Sequence, residues 1–135
     1  MSIETQKNIK FIIEGEPASK ANSRKIVKFG KRLALIKSEK ARNYEKMFAK
    51  QCPILENLIE SDVTVELIIY YASRRPDLDE SVILDCMQGK IYLNDRQVKQ
   101  KHIHWGLDRD RPRTHVRVSA LEICDLPSDL WLVPR

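Results

Sequence analysis

The sequence predicts a single mixed domain, α/β in class and of the α+β type, with helices packed on one mixed β-sheet. Two observations predict it: several short segments alternate apolar and polar residues, and one longer segment has apolar residues at helical spacing. The chain has 135 residues, enough for one hydrophobic core and short for two. Residues 1–131 are therefore assigned to one domain. Residues 132–135, LVPR, match what is left of a cleaved thrombin site and are set aside.

The first predicted elements are a strand and a basic β-hairpin near the N-terminus. In NIKFIIEGEP, Ile9, Phe11 and Ile13 alternate with polar residues, and a glycine and a proline end the strand. The segment SRKIVKFGKRLALIKS predicts two strands joined by a turn at Gly30–Lys31. Most polar positions of this hairpin carry lysine or arginine.

A helix is predicted after the hairpin, ending near residue 52. Ser38 can cap its start, Glu39 suits its first turn, and Pro53 lies just beyond its end. The apolar residues at helical spacing, which should face the core, are Ala41, Tyr44, Phe48 and Cys52. A second face is basic at every fourth residue, which is typical of a solvated helix face and also of a surface that contacts phosphates: Arg42, Lys46 and Lys50.

The segment DVTVELIIYYAS, residues 62–73, gives the strongest strand pattern. Ile68 and Tyr70 make the second side of its far end apolar as well, which predicts an internal strand covered on both faces there. A short helix is expected over about 80–88, and DRQVKQK predicts one or two helical turns. The segments KHIHWGL and RTHVRVSALEI then predict two final strands.

The positive charge is concentrated in one part of the chain. The net charge is +5, but residues 20–50 hold eleven basic and two acidic residues, a local balance of +9 against −4 elsewhere. This asymmetry predicts a surface for a polyanion, with nucleic acid the first candidate, although an ordinary solvated surface gives the same pattern.

Membrane insertion and secretion are not expected. No apolar run approaches the roughly 20 residues of a membrane helix, and the N-terminal MSIETQKNIK lacks the apolar segment of a signal peptide. Three scattered cysteines, Cys52, Cys86 and Cys124, predict reduced thiols in a cytoplasmic protein.

Two carboxylates, Asp77 and Asp79, stand one residue apart where the long apolar strand ends. If the strand direction persists through Pro76, both side chains point the same way. Asp95 follows after enough chain for a short helix and a return, so it can join them. Carboxylate clusters suit Mg²⁺ or Mn²⁺, ions that polarise a phosphodiester, activate water and stabilise the leaving oxygen. The alternative is that these carboxylates belong to an ordinary solvent-exposed turn without a metal.

A zinc site is a rival interpretation of the polar residues. His102 and His104 alternate on a predicted strand and could act with His115 and a cysteine. The spacings typical of zinc ligands are missing from the sequence, so packed or exposed histidines are the better reading.

The segment DLDESVILDCMQGKIYLNDRQV, residues 77–98, resembles the signature of RusA-type Holliday junction resolvases. The shared elements are a D-x-D, a helix carrying L-D near its end, a glycine turn, and an aromatic residue followed by [N/D]-D-x-Q-V. IIEGEPASKANSRKIV is similar to the family's opening strand and basic loop, so the resemblance covers most of residues 9–123. It implies a homodimeric endonuclease that uses Mg²⁺, with Mn²⁺ as a substitute, and no small-molecule cofactor. Its activity would be to resolve four-way DNA junctions by paired symmetric nicks in recombination and repair.

Carried over by position, the resemblance implies that Asp77, Asp79 and Asp95 bind metal and act in catalysis. It also implies that Asp85 is a helix acid that either supports the metal or makes a structural hydrogen bond. Two departures concern the family's usual Asn after D-x-D, replaced here by Glu80, and its usual helix lysine, which ESVILD lacks. Any catalytic lysine must then come from elsewhere in the chain. The candidates in the sequence are Lys90 and Lys99.

The residues expected to contact DNA are basic residues of the hairpin, the first long helix and the neighbourhood of the acids: Lys20, Arg24, Lys25, Lys28, Lys31, Arg32, Arg42, Lys46, Arg74, Arg75 and Arg96. Such contacts position DNA phosphates without reading base sequence. The alternative function is a non-catalytic nucleic-acid-binding domain in which the acids hold a structural divalent ion.

Overall fold

The structure, a computed structural model, describes residues 8–18 and 24–121. Four strands form a mixed sheet in the order β1-β6-β4-β5, with bounds Asn8–Glu14 for β1, Val63–Tyr71 for β4, Val98–Leu107 for β5 and Arg113–Ala120 for β6. A separate two-stranded hairpin consists of β2, Arg24–Phe29, and β3, Arg32–Lys37. The helices are α1, Glu39–Gln51, and α2, Ser81–Cys86. The predicted mixed α+β class is confirmed.

Strand β4 lies inside the sheet, as its apolar pattern predicts. It pairs antiparallel with β6 and parallel with β5. A parallel neighbour requires a crossover connection, and here the crossover is residues 72–97, which contain α2 and a short 3₁₀ turn, Asp95–Gln97. The whole acidic signature therefore lies in one connection between two adjacent strands.

Helix α1 starts and packs as its sequence predicts. The Ser38 hydroxyl oxygen accepts a hydrogen bond from the Ala41 backbone N–H at 3.1 Å and so caps the helix. Tyr44 and Phe48 are buried on the sheet, next to Ile13 of β1 and the inward residues of β4. Helix α2 contributes Ile83 and Leu84 to the same core.

Both helices cover the same face of the sheet, and the opposite face has no helix on it within residues 8–18 and 24–121. Ile68 is 36% exposed and Ile12 is 44% exposed there. The prediction that β4 is covered on both faces is therefore wrong for the part of the chain that the structure describes. Two apolar residues on a strand face indicate that burial of that face is favourable. They do not show that a helix of the same chain packs on it.

The segment 95–101 is not helical throughout. Only Asp95–Gln97 forms a 3₁₀ turn, and β5 begins at Val98 rather than near residue 101. Pairing with β4 overrides the local helical pattern, because Gln100 and Lys101 lie opposite Thr64 and Val65 in the parallel register. Among the described helices, none is long and apolar enough to cross a membrane.

Candidate nuclease active site

The loop that carries Asp77 and Asp79 is tied to the end of β4 by the buried side chain of Tyr71. The Tyr71 hydroxyl donates to the Asp77 carbonyl oxygen at 3.2 Å and accepts from the Asp79 backbone N–H at 3.3 Å. Burial raises the pKa of this hydroxyl, which keeps it protonated as a donor. The backbone of the D-x-D is therefore held in one place by a rigid aromatic side chain.

The two carboxylates of this loop have different surroundings. Asp79 is buried, and its Oδ1 accepts from the Ser81 backbone N–H at 3.1 Å and the Ser81 hydroxyl at 2.8 Å, at the start of α2. Asp77 is exposed. The condition that the strand direction persists through Pro76 is not met, since β4 ends at Tyr71 and residues 72–74 bend.

Glu80, the next residue, forms an ion pair with a lysine from the neighbouring strand. The Lys101 ammonium nitrogen lies 2.5 Å from Glu80 Oε2. Lys101 is on β5, opposite Val65 of β4. A cation thus lies beside the D-x-D loop, although it comes from a residue that the sequence did not single out.

A second pair of acids forms where α2 meets the 3₁₀ turn. Gln88 joins the two acids, since its backbone N–H donates to the Asp85 carbonyl oxygen at 3.2 Å and its Oε1 accepts from the Asp95 backbone N–H at 2.9 Å. Burial raises the pKa of Asp85, and the neighbouring Asp95 carboxylate raises it further. The charge of Lys37 opposes this shift, so the Lys37 ammonium is nearby. It also lies 2.5 Å from Glu45 Oε2, in a cleft lined by Lys37, Glu45, Asp85, Cys86 and Gln88.

The position of Asp95 is set by Gln97. Gln97 Oε1 accepts from the backbone N–H groups of Leu93 and Asn94, each at 2.9 Å. Its Nε2 donates to the carbonyl oxygens of Ile59 and Ser61, each at 2.7 Å. These four bonds join the Asp95 turn to the segment that precedes β4.

The structure brings some predicted acids together and leaves others apart. Asp85 contacts Asp95, while Asp77 and Asp79 share the anchor provided by Tyr71. In the described ranges, no group of three or more His, Cys, Asp or Glu side chains is arranged to hold a metal ion. A shared site for Asp77, Asp79 and Asp95 therefore stays a prediction. The same finding covers His102, His104 and His115, the proposed zinc ligands.

The predicted DNA-contact residues whose side chains the structure describes lie on the surface. Those found exposed are Lys25, Lys28, Lys31, Arg32, Arg42, Lys46, Arg74, Arg75 and Arg96, together with Lys50. Lys20, Cys124 and residues 132–135 lie outside the described residues, as does the Arg24 side chain. A side chain must be exposed to contact a DNA phosphate, but exposure alone does not show that the contact forms.

The two candidate lysines are in different places. Lys90 lies beside the segment that follows α1, where its carbonyl oxygen accepts from the Leu55 backbone N–H at 2.8 Å, and its charge opposes the rise that burial causes in the pKa of Cys52. Lys99 is exposed on β5. Neither forms an ion pair with a carboxylate among the described residues, whereas Lys101 does.

Four residues of the site were not singled out in the sequence: Tyr71, Gln97, Lys101 and Lys37. In the sequence, Tyr71 has the pattern of a core residue of a strand, and Gln97 is one letter of the family motif. Nothing in the sequence distinguishes Lys37 and Lys101 from the other lysines. The alternation of side chains along β5 places Lys101 on the sheet face that carries the helices, but this could be predicted only if the start of β5 was known.

Comparison with known families gives one match. Residues 14–119 match the sequence model of a family described as Endodeoxyribonuclease RusA, which covers most of the chain and all of the acidic signature. No curated protein matches the chain.

Proposed function

Because this chain belongs to the RusA endodeoxyribonuclease family, we propose that it is a Mg²⁺-dependent endonuclease that nicks four-way DNA junctions in pairs, in recombination and repair. The observation that carries the proposal is the contact between Asp85 and Asp95 inside the family match. Two carboxylates in contact repel each other unless a proton or a cation lies between them.

The donor set at this contact fits Mg²⁺. Mg²⁺ commonly uses one or two carboxylates and completes its octahedral shell with waters and substrate phosphates. Asp85 and Asp95 would hold the ion, and the D-x-D carboxylates of Asp77 and Asp79 are the further candidates. Bound there, Mg²⁺ supplies positive charge that polarises the phosphodiester. Mn²⁺, which prefers similar oxygen ligands, is expected to substitute.

The chain's own residues would position the DNA. The exposed lysines and arginines of the β2–β3 hairpin, together with Arg42, Lys46 and Lys50 on one face of α1, would contact phosphates along the junction arms. Lys37 links the two regions, because it ends β3 and lies near Asp85. DNA gripped by the hairpin is thereby directed toward the acidic cleft.

The proposal is tested by a cleavage assay on a synthetic four-way junction, a linear duplex and a flap, each with Mg²⁺ or with EDTA. Paired nicks are expected on the junction and not on the duplex or the flap, and EDTA should abolish them. Asp77→Asn should lower the nicking rate about 100-fold, because a carboxylate near the reacting phosphate is lost, while junction binding is retained. Asp62→Asn, an exposed aspartate before β4, is the control.

Junction binding without nicks under several divalent metals would overturn the nuclease and favour the non-catalytic alternative. Nicks on all three substrates at equal rates would retain the nuclease and reject the junction preference.

A two-fold dimer suits this substrate, because a four-way junction presents equivalent strands in pairs. The sheet face without helices is a suitable surface for a second copy. Ile12, His115, Ile68 and His104 lie side by side across its four strands. On either side of this row the charges are paired: Arg117 bonds Glu66, and Arg113 pairs with Asp108 at 2.6 Å while lying over the Tyr70 ring at 4.3 Å.

The face is also complementary to itself. A two-fold axis parallel to the strands, between β4 and β6, lays β4 of one copy over β6 of the other. Glu66 lies opposite Arg117 in the sheet, and Tyr70 lies opposite Arg113. The axis therefore places Glu66 of one copy over Arg117 of the other, and Tyr70 of one copy over Arg113 of the other. Packed sheets cross at about 30°, so these pairings hold best near the axis.

Ile68→Glu should convert the dimer into a monomer, because it places an unpaired charge in the centre of the interface. The residue is 36% exposed in one chain, so the fold should survive. Light scattering after size-exclusion chromatography measures the mass, and Ile54→Glu, at a 68% exposed position, is the control. A monomeric wild-type protein, or a dimer unaffected by Ile68→Glu, would contradict this interface.

A further inference from the structure

The Lys101–Glu80 ion pair lies directly beside the D-x-D loop. Glu80 follows Asp79 and occupies the N-cap position of α2, but its side chain makes no capping hydrogen bond there. Its carboxylate is bound instead by the Lys101 ammonium at 2.5 Å. The capping role is taken by the Asp79 carboxylate, through Ser81. Glu80 is therefore available to hold a lysine.

The pair contributes little to stability. The Lys101 side chain is 48% exposed and that of Glu80 is 21% exposed, and ion pairs with this degree of solvent contact are weakly stabilising. An ammonium held at this place by a carboxylate is, however, well placed to meet an anion. Phosphate oxygens are strong acceptors for lysine and can replace a carboxylate as its partner.

The other lysines considered for catalysis do not fill this position. Helix α2, SVILDC, contains no basic residue. Lys90 lies near Cys52, and Lys99 makes no ion pair within the described residues. Lys37 is engaged by Glu45 at the second acid pair. Lys101 is thus the ammonium that strand β5 brings to the loop of Asp77 and Asp79.

We propose that Lys101 is a catalytic residue that contacts the phosphate being cut, and that Glu80 holds its ammonium in place until DNA arrives. The inference rests on the proposed nuclease function. In the hydrolysis, a water oxygen forms a bond to phosphorus and gives up a proton, the bond from phosphorus to the leaving oxygen breaks, and that oxygen takes up a proton. Negative charge grows on the phosphate oxygens in the transition state, where an ammonium lowers the barrier.

The test compares cleavage and binding in four proteins. Lys101→Met keeps the aliphatic stem and removes the charge, Lys101→Arg restores a charge, and Glu80→Gln releases the ammonium. The matched control is Lys40→Met, because Lys40 is 52% exposed and pairs with Glu16, 20% exposed, much as Lys101 pairs with Glu80. Single-turnover nicking of a four-way junction is measured at saturating protein, with junction affinity and melting temperature measured separately.

Lys101→Met should slow nicking about 100-fold at saturation, as expected for the loss of one transition-state donor. Its affinity for the junction should change far less, and its melting temperature should stay within about 2 °C of the wild type. Lys101→Arg should recover most of the rate, Lys40→Met should retain it, and Glu80→Gln should lose far less of it than Lys101→Met. Wild-type nicking by Lys101→Met, or a rate loss explained by weaker binding, overturns the proposal. A loss of nicking rate in Glu80→Gln equal to that in Lys101→Met also overturns the proposal, since the ion pair itself would then be required.

A second measurement does not depend on activity. Lysine amines are acylated in EDTA with and without junction DNA, and the modified peptides are quantified by mass spectrometry. Lys101 should be protected by DNA while Lys40 is not; an unprotected Lys101 overturns the contact. If the wild-type protein nicks no DNA, the proposed function fails, and this footprint still decides whether Lys101 meets a phosphate.

Discussion

Asp95→Asn is expected to lower junction nicking about 1,000-fold, the largest effect on activity of any single change proposed for this chain. Asp95 shares a contact with Asp85, and removing one carboxylate removes half of the charge that would hold Mg²⁺. The nicking rate is measured under single-turnover conditions, so that weaker DNA binding is not mistaken for slower chemistry. Asp85→Asn should act in the same direction.

The same variants give a readout that does not need DNA. In EDTA near neutral pH, both Asp95→Asn and Asp85→Asn should melt at or above the wild-type temperature, because repulsion between two contacting carboxylates is relieved. Added Mg²⁺ should raise the melting temperature of the wild type and not that of the variants. Asp62→Asn should behave like the wild type in both respects. A Mg²⁺ response that persists in Asp95→Asn would remove this acid from the metal site.

Gln97→Ala should cost about 2–4 kcal/mol of unfolding free energy, because four hydrogen bonds to the backbone are lost together, two of them partly buried and two exposed. It should also slow nicking about 100-fold, since those bonds position the turn that carries Asp95. Urea denaturation measures the first effect, and junction nicking at a temperature where the variant is fully folded measures the second. Gln97→Glu should not rescue either property, because a carboxylate cannot donate to the Ile59 and Ser61 carbonyls.

Gln51 provides the matched control for this prediction. Its side chain also joins distant segments, since Oε1 accepts from Glu14 N–H at 2.7 Å and Nε2 donates to the Glu14 carbonyl at 3.1 Å. Gln51→Ala should therefore lose stability while the folded protein keeps its nicking rate. If Gln51→Ala and Gln97→Ala lose activity equally, Gln97 is a general stabiliser and not a positioning residue for Asp95.

Local patterns in the sequence were sufficient for most secondary structure. Alternating apolar residues placed β1, β4 and β6, a glycine turn placed the hairpin, and Ser38 with the spacing of Tyr44 and Phe48 placed α1. These features depend on residues close together in the chain, so their physical causes can be read from it directly. The order of motifs in residues 77–98 was likewise enough to indicate the family, and the family match confirms it.

The start of β5 shows where local patterns fail. Residues 98–101 look helical in isolation, but they pair with β4 across a crossover of more than twenty residues. A strand register set by such a distant partner is decided by packing and by the backbone hydrogen bonds of the whole sheet. The place of Lys101 beside Glu80 follows from that register and so could not be derived from spacing.

The sequence by itself thus determined the type of domain, its main elements and its family, and it nominated the candidate acids. Only the tertiary structure decided which side chains meet: Asp85 with Asp95, Lys101 with Glu80, Tyr71 with the backbone of the D-x-D, and Gln97 with the segment before β4. It also decided that one sheet face has no helix over it in the described residues. The physical reason is that helix and strand formation depend on near neighbours, whereas contacts between side chains depend on how distant segments pack.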